Sequence, residues 1–467
     1  MSGSFNRNTL ELFRPFLEIK NYQLLLQKAG MQKFFILFFS AAISFSCKQK
    51  KDIIITDADV LHQNQDRLTQ IIIYDVFTPP VASRIYVYSS LASYEAVRFA
   101  TPGSPSIAEK LNGFIKMPQP VSGKKYNYTL AATKAFFTMV HKVVFSIDSL
   151  EQYEETTYEH FKKKMDQETY DRSVEFGEAV GNAVLARAMA DGYVKSRGKS
   201  RFLGSNEPGK WRPTPPDYLD GVEWCWNTMK PMILDSAAQF MPPRPPQYSK
   251  DTQSVFYKNV QEVYTINKNL TEEQKSIAKY WDDNPFVIEH SGHLMFGNKK
   301  ITPGGHWMGI AAIAAKQTGT DIVKIAKTYA LTAIALYDAF IACWDEKYRS
   351  NVVRPVTVIN EWFDPRWTSF LQTPPFPEYT SGHSTITASA SAVLAQLYGN
   401  QFAFQDTSDL RYIGMQRHFN SFQQAAAEAS ISRVYGGIHY RSGVEAGAAQ
   451  GKKVGALIIQ RLMNDKE

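Results

Sequence analysis

Cysteine and long apolar runs are both scarce in this sequence. Three cysteines occur in 467 residues, too few for a disulfide framework, and a chain of this length can bury a hydrophobic core without one. After the first 47 residues, no apolar run reaches the length of a membrane span. The best candidate, TYALTAIALYDAFIACW, contains Asp338 and two tyrosines. We therefore expect this segment to be a core helix of a globular protein.

The sequence also has only a small excess of charge of one sign. The net charge is +7, and the segment before Cys47 contributes five Lys or Arg against two Glu, which is +3 and leaves +4 for the rest. Such a small and scattered excess does not suit the phosphate backbone of a nucleic acid. The 44% hydrophobic and 21% charged residues are typical of a globular chain. We expect no nucleic-acid partner.

The N-terminal region, residues 1–47, has the features of an export signal. In MQKFFILFFSAAISFSC, a lysine follows Met31, an apolar stretch begins at Phe34, and small residues precede Cys47. The pattern predicts export to the periplasm, the outer membrane or the medium, and Cys47 indicates a lipoprotein anchor. Ser44-Phe45-Ser46 fits the usual lipobox poorly, so ordinary signal cleavage stays open, and a short buried helix is the structural alternative.

Helical periodicity dominates the rest of the chain. Apolar residues recur at three- and four-residue spacing from about Val60 to Tyr193 and again from Thr271 onward, whereas strand-like alternation is scarce. Between these regions lies a proline-rich stretch that forbids long helices. We predict an all-α protein with an N-terminal bundle and proline-rich connection over 48–250 and a C-terminal bundle over 251–467. Nothing in the pattern indicates an oligomeric state.

One break between helices places Ser381, Gly382 and His383 where a helix begins, in FPEYTSGHSTIT. The first N–H groups of a helix lack intrahelical partners and carry a partial positive charge, so a helix start can bind an anion. The ordinary alternative is that Ser381 caps the helix, Gly382 forms a turn and His383 lies on the surface.

Two other breaks carry cationic residues. In CWDEKYRSNVVRP, Lys347 falls in the last turn of a helix and Arg354 in the segment that leaves it, because Pro355 disfavours helix at the preceding residue. In SRVYGGIHYRSG, Arg433 and His439 flank two glycines that can turn the chain sharply. Solvated charges and a core histidine are the ordinary alternatives.

Taken together, these residues are a donor set for a tetrahedral oxyanion. Guanidinium groups bind oxyanions through paired hydrogen bonds, and a helix start adds neutral donors. A neutral imidazole can be a nucleophile or a metal ligand. The sequence therefore predicts an oxyanion site in the C-terminal bundle.

The three segments also resemble a known family pattern. Lys-x6-Arg-Pro, Ser-Gly-His and Ser-Arg-x5-His, in this order, are similar to the motifs shared by vanadium-dependent haloperoxidases and type-2 phosphatidic acid phosphatases. The resemblance runs from Trp344 to Ala446 and more diffusely upstream to YWDDNPF and TPGGHW. It implies a haloperoxidase-like fold, with two packed four-helix bundles and the active site in the second.

The resemblance also implies the roles of individual residues. His439 would bond to vanadium, or attack phosphorus in a phosphatase, and His383 would act as acid and base. Lys347 would polarise peroxide, so that a halide is oxidised to hypohalous acid for an organic acceptor. The residues that would hold the oxygens of vanadate, or of phosphate in the same site, are Lys347, Arg354, Ser381, Gly382 and Arg433.

Haloperoxidase and exported acid phosphatase are not separated by the anion site alone, because vanadate and phosphate share shape and charge. Membrane-embedded lipid phosphatases need several spans, which this sequence does not show. Trp344 and Phe376 fall where haloperoxidases carry residues lining the halide side, although core packing would explain them too.

The position four residues after His439 bears on the same choice. The phosphatase pattern has an aspartate there, which would fix the tautomer of the histidine and raise its basicity, whereas this chain has Gly443. Glu445 falls on the opposite side if a helix starts at once. We therefore favour a haloperoxidase that uses hydrogen peroxide and iodide or bromide. A phosphatase acting through a phosphohistidine, and a non-catalytic anion-binding lipoprotein, are the alternatives.

Overall fold

The structure, a computed structural model, describes residues 56–464 apart from 286, 292, 293 and 298. The predicted export signal, residues 1–47, lies outside this part of the chain. Over the described residues the protein is mainly helical, which confirms the all-α prediction. Its α-helices are α1 (Asp57–Tyr74), α2 (Pro79–Val97), α3 (Tyr128–Val143), α4 (Asp148–Lys162), α5 (Gln167–Met189), α6 (Tyr193–Arg197), α7 (Val255–Lys268), α8 (Glu272–Tyr280), α9 (Pro303–Thr318), α10 (Ile322–Ser350), α11 (Pro355–Trp362), α12 (Gly382–Tyr398), α13 (Leu410–Ile413), α14 (Phe422–Tyr435) and α15 (Arg441–Ile458).

Two short antiparallel hairpins accompany the helices in the described part of the chain. Strand β1 (Ile288–Ser291) pairs with β2 (Leu294–Gly297), and β3 (Phe404–Asp406) pairs with β4 (Arg417–Phe419). The long stretch between α6 and α7 has no α-helix, as its prolines predict.

Helix α10 is the central element of the fold. It packs against α2 and α9 and also against α12 and α15. By length and composition it is apolar enough to cross a membrane, but 94% of its most apolar window is buried inside the protein, so the expectation of a core helix is confirmed. Residues Thr56–Glu467 form one compact unit, and a domain division near residue 250 stays a prediction.

Buried Asp338 attaches the proline-rich connection to α10. Its carboxylate accepts hydrogen bonds from the backbone N–H groups of Met232, Ile233 and Leu234 at 2.7, 2.8 and 2.9 Å. Burial raises the pKa of Asp338 to about 6, while these N–H groups oppose the shift. The acidic residue that made this helix a poor membrane span therefore links α10 to the proline-rich connection by hydrogen bonds.

Glycines let α15 approach α12 closely. A Cβ atom at Gly447 would lie 2.7 Å from the backbone oxygen of Ser381, and one at Gly455 would lie 2.9 Å from that of Ser389. Such distances are too short for any side chain, so glycine is required at this contact. The close approach brings the start of α15, and the turn before it, beside the start of α12.

Candidate active site

The three sequence motifs meet at one pocket. Lys347 lies in the last turn of α10, and Arg354 caps α11. Ser381 caps α12, Arg433 lies in the last turn of α14, and His439 lies in the turn before α15. The pocket is lined in part by Trp344, Phe376, Gly382, His383, Arg433 and His439.

Lys347 is fully buried and holds the loop before α12. Its Nζ donates to the backbone oxygens of Pro377, Glu378 and Thr380 at 3.0, 3.1 and 2.6 Å. Three acceptors match the three N–H bonds of an ammonium group. Burial lowers the pKa of Lys347 to about 7, and a bound anion would favour the charged form.

Arg354 carries a donor that the protein leaves free. Its Nε donates to the Phe376 backbone oxygen at 2.8 Å, and Nη1 donates to the Ile438 oxygen at 2.7 Å. Nη2 is buried and has no hydrogen-bond partner among the described residues. An unsatisfied buried guanidinium N–H is unfavourable, so this atom fits the oxygen of a bound oxyanion.

Arg433 contributes the third buried cation. Its Nη2 donates to the Trp281 backbone oxygen at 2.6 Å, and Nε donates to Ser432 Oγ at 3.0 Å. Burial lowers the pKa of Arg433 from its ordinary high value, but nearby Asp282 and Asp283 oppose this, and arginine stays charged.

The start of α12 adds neutral donors. Ser381 Oγ accepts from Ser384 N at 3.4 Å, which leaves its own O–H free to donate. Gly382 is the first helical residue, so its N–H has no acceptor within the helix. The interpretation of Ser381 as a helix cap is confirmed, and it is compatible with anion binding.

His439 has a defined tautomer. Arg354 Nη1 lies 3.1 Å from its Nε2, and because arginine can only donate, we assign the lone pair to Nε2. Its Nδ1–H then donates to Glu378 Oε1 at 2.7 Å. Burial and the charges of Arg354 and Lys347 lower the pKa of His439 well below its usual value. A neutral ring with a lone pair on Nε2 is the form that a metal ligand needs.

Glu378 is the functional residue that the sequence did not reveal. Its Oε1 accepts from His439 and, at 3.2 Å, from the backbone N–H of Tyr440. Burial raises its pKa to about 7, and the charges of Arg354 and Lys347 oppose this. The carboxylate lies where a side chain at Gly443 would be, since a Cβ there would come within 2.9 Å of Glu378 Cδ.

The absence of aspartate at 443 therefore does not leave His439 without a carboxylate. Glu378, three residues before Ser381, supplies it from the loop before α12, and Gly443 provides the space. Glu445 is exposed, in agreement with the expectation that it does not replace the aspartate. The only signal in the sequence was indirect: a glycine at the expected acidic position and an unassigned acid beside the Ser-Gly-His motif.

His383 lies in the first turn of α12, with its side chain 14% exposed and its Nε2 3.6 Å from Asp283 Oδ2. Burial and the charge of Arg433 lower the pKa of His383 to about 4. The ring is therefore neutral near pH 7 and can accept a proton.

Trp344 and Phe376 form an aromatic wall over the cations. Their ring centroids are 5.0 Å apart, and Lys347 Nζ lies 5.6 Å from the Trp344 centroid and 5.0 Å from that of Phe376. Both rings belong to the main hydrophobic core and both line the pocket. The core-packing and pocket-lining interpretations therefore apply together.

Comparisons with known proteins agree with this geometry. Residues 327–465 match the family model described as VCPO second helical-bundle domain. A crystal structure of a bacterial vanadium-dependent iodoperoxidase is 44% identical in sequence, with a TM-score of 0.81, and the match covers 86% of this chain and 96% of that one. This chain belongs to the vanadium-dependent haloperoxidase family, and its fold is the helical fold of that family.

More distant structures share the fold. The holo and apo forms of a bacterial vanadium-dependent chloroperoxidase are 18% and 17% identical, each with a TM-score of 0.64. The matches cover 83% of this chain and 93% and 94% of those chains. No curated protein sequence matches this chain.

Proposed function

We propose that this protein is a vanadium-dependent haloperoxidase that uses hydrogen peroxide to oxidise iodide, and less readily bromide, to hypohalous acid. The observation that carries the proposal is the 44% identity to a bacterial vanadium-dependent iodoperoxidase, over 86% of this chain and 96% of that one. The site residues support vanadate as cofactor, because Arg354 Nη2 is free to donate to an oxygen. His439 Nε2 carries the lone pair that a metal ligand needs, and vanadium would replace Arg354 Nη1 as its partner.

The donor set defines what each residue does when vanadate is bound. Bound vanadate would act as a Lewis acid that polarises peroxide, with no change in the oxidation state of vanadium. Arg354, Arg433, the Ser381 hydroxyl and the Gly382 N–H are the oxygen donors, and the charge of Lys347 adds to the positive field of the site.

The two histidines and the aromatic wall have different roles. His439 offers Nε2 as ligand while Glu378 holds its other nitrogen. His383 is neutral and takes the proton that peroxide must lose. Trp344 and Phe376 keep water from the cations, which favours a weakly hydrated halide such as iodide.

The structure removes one argument against the phosphatase alternative, the missing aspartate at position 443, but adds no argument for it. With Glu378 on its Nδ1, His439 has the carboxylate that a phosphohistidine mechanism needs, so the missing aspartate at 443 no longer favours a peroxidase. The choice rests instead on the comparison with the iodoperoxidase.

A paired assay tests the function. The chain from Lys48 onward is purified, loaded with orthovanadate, and assayed for iodide and bromide oxidation beside hydrolysis of a phosphate ester. We expect vanadate-dependent oxidation, fastest with iodide because it is the most readily oxidised of these halides. If vanadate only inhibits, and the ester is hydrolysed without it, the protein is a phosphatase.

We also propose export, with a mature N-terminus at or near Cys47. The support is the signal-like pattern of residues 31–47. Intact-mass measurement on native protein should show a chain that begins near Cys47, with added acyl mass if this cysteine is lipidated. A native chain that retains Met1 would contradict export.

A further inference from the structure

A second buried cluster of charged side chains adjoins His383. At its centre is His306, in the first turn of α9, whose side chain is completely buried. Its Nδ1 lies 3.0 Å from Asp283 Oδ1, and its Nε2 lies 3.0 Å from Asp406 Oδ2. A neutral imidazole donates only one N–H. Two carboxylates that both act as acceptors on the ring therefore fit His306 as an imidazolium, which donates from both nitrogens.

The surroundings of the ring favour this charge. Trp281 stacks on His306 with centroids 4.5 Å apart and planes inclined by 18°, an arrangement that attracts a cation. Burial alone would lower the pKa of His306, but the charges of Asp283 and Asp406 outweigh it and raise the pKa well above its usual value. A cation in the first turn of a helix is unfavourable, so these two carboxylates are needed to hold it there.

Other charged groups near the His306 ring do not displace Asp283 and Asp406 as its partners. Asp409 Oδ2 lies 3.6 Å from His306 Nδ1, and burial raises the pKa of Asp409 to about 7, so it is mostly neutral below that pH. Lys300 is paired with Asp282 at 2.5 Å. The charged or titratable groups around the cluster are Asp282, Asp283, Asp406, Asp409, Tyr280, His383, Lys300 and Arg433.

Asp283 connects this cluster to the active site. Its Oδ1 contacts His306, and its Oδ2 lies 3.6 Å from His383 Nε2. Burial alone would raise the pKa of Asp283, but the charge of His306 lowers it well below its usual range. The 3.6 Å separation is longer than a hydrogen bond, and His383 Nε2 has no hydrogen-bond partner among the described residues. The negative charge of Asp283 nevertheless favours the His383 tautomer that carries its proton on the nearer nitrogen, Nε2. The lone pair of His383 is then on Nδ1.

We propose that His306 is a positioning residue: a permanently protonated histidine that keeps Asp283 ionised and thereby fixes the proton of His383 on Nε2. His306 does not touch the substrate or the cofactor. The role rests on the proposed function, because a fixed lone pair on Nδ1 prepares His383 to take a proton from peroxide. The same arrangement of carboxylate and histidine orients the base in hydrolases.

The first test needs neither turnover nor vanadate. Histidine nitrogens of the ¹⁵N-labelled full chain are observed by NMR without vanadate, between about pH 5.5 and 8.5, where an ordinary histidine would titrate. We expect both nitrogens of His306 to stay protonated, and His383 to carry its proton on Nε2. A neutral His306 in this range, or a proton on His383 Nδ1, overturns the proposal whether or not the protein is a haloperoxidase.

Variants test the consequence for catalysis. His306→Gln keeps hydrogen-bonding capacity without the charge. We expect loss of the Nε2 preference at His383 and a kcat about 10- to 100-fold lower, the range seen for partners that orient a histidine. The vanadate dissociation constant should change by no more than about threefold, because His306 contacts none of the oxyanion-binding residues.

Asp409→Asn is the matched control. It copies the neutral form of Asp409, so below about pH 7, the raised pKa of this carboxyl, it should leave the His383 tautomer and kcat unchanged. If this variant loses activity together with a stoichiometric divalent metal ion, the cluster is a metal site and the proposal is wrong. Equal losses of vanadate affinity and kcat in His306→Gln would indicate collapse of the site and also overturn it. If His306→Gln does not fold, the NMR experiment on the unmodified chain still decides.

Discussion

Replacing His439 with alanine is expected to abolish vanadate binding, whereas replacing His383 with alanine should leave most of it. His439 Nε2 carries a lone pair beside Arg354, and loss of this ring removes the proposed bond to vanadium. His383 acts on protons, and general acid–base help contributes about 10²- to 10⁴-fold to turnover. Calorimetric vanadate titration, with kcat for iodide measured at saturating vanadate, separates the two effects.

His418→Ala provides the control for these variants. His418 is exposed on β4, and its removal should change neither vanadate affinity nor kcat. Equal loss of vanadate affinity in His383→Ala and His439→Ala would show that the division of roles between the two histidines is wrong.

Exchanging the carboxylate partner of His439 should weaken vanadate binding in each single variant and largely restore it in the double variant. Gly443→Asp forces a second carboxyl group into the space of Glu378, and two carboxylates in one buried site cannot both stay ionised. Glu378→Ala removes the partner altogether. We expect each single change to weaken vanadate binding about 10- to 100-fold. The double variant should recover most of the loss, because one aspartate then replaces one glutamate.

Glu445→Gln is the control for charge alone, because Glu445 is exposed and should have no effect. Vanadate affinity and iodide oxidation, measured for all four variants with a folding check by circular dichroism, test the exchange. If the double variant is as weak as the sum of the single changes, Glu378 does not occupy the role of the missing aspartate.

Much of this protein could be predicted from local sequence features. The helical period and the proline-rich break predict the fold class because both act over a few residues. The Ser-Gly-His helix start and the Arg before Pro355 were found for the same reason, since caps and helix ends are local chemistry. The resemblance to haloperoxidases led us to expect Trp344 and Phe376 on the halide side of the site.

The partners of the histidines could not be predicted in this way. Glu378 and His439 are 61 residues apart, and His306 and Asp406 are 100 apart. The first contact depends on how closely α15 packs on α12, which the glycines of α15 permit. The second depends on where β3 lies beside α9 in the folded chain. A buried ion pair leaves no periodic signal in the sequence, so Glu378 and the cluster around His306 became visible only in the folded chain.

The buried cations of the oxyanion site make the stability of the folded chain depend on its ligand. Lys347, Arg354 and Arg433 are nearly or fully inaccessible to water, so they are desolvated in every folded molecule, whether or not an anion offsets them. A ligand that binds only the folded chain stabilises it by about 2.7 kcal/mol at a concentration one hundred times its dissociation constant. Phosphate can share this effect. Oxyanion supply would then govern the lifetime of the enzyme, in addition to its activity.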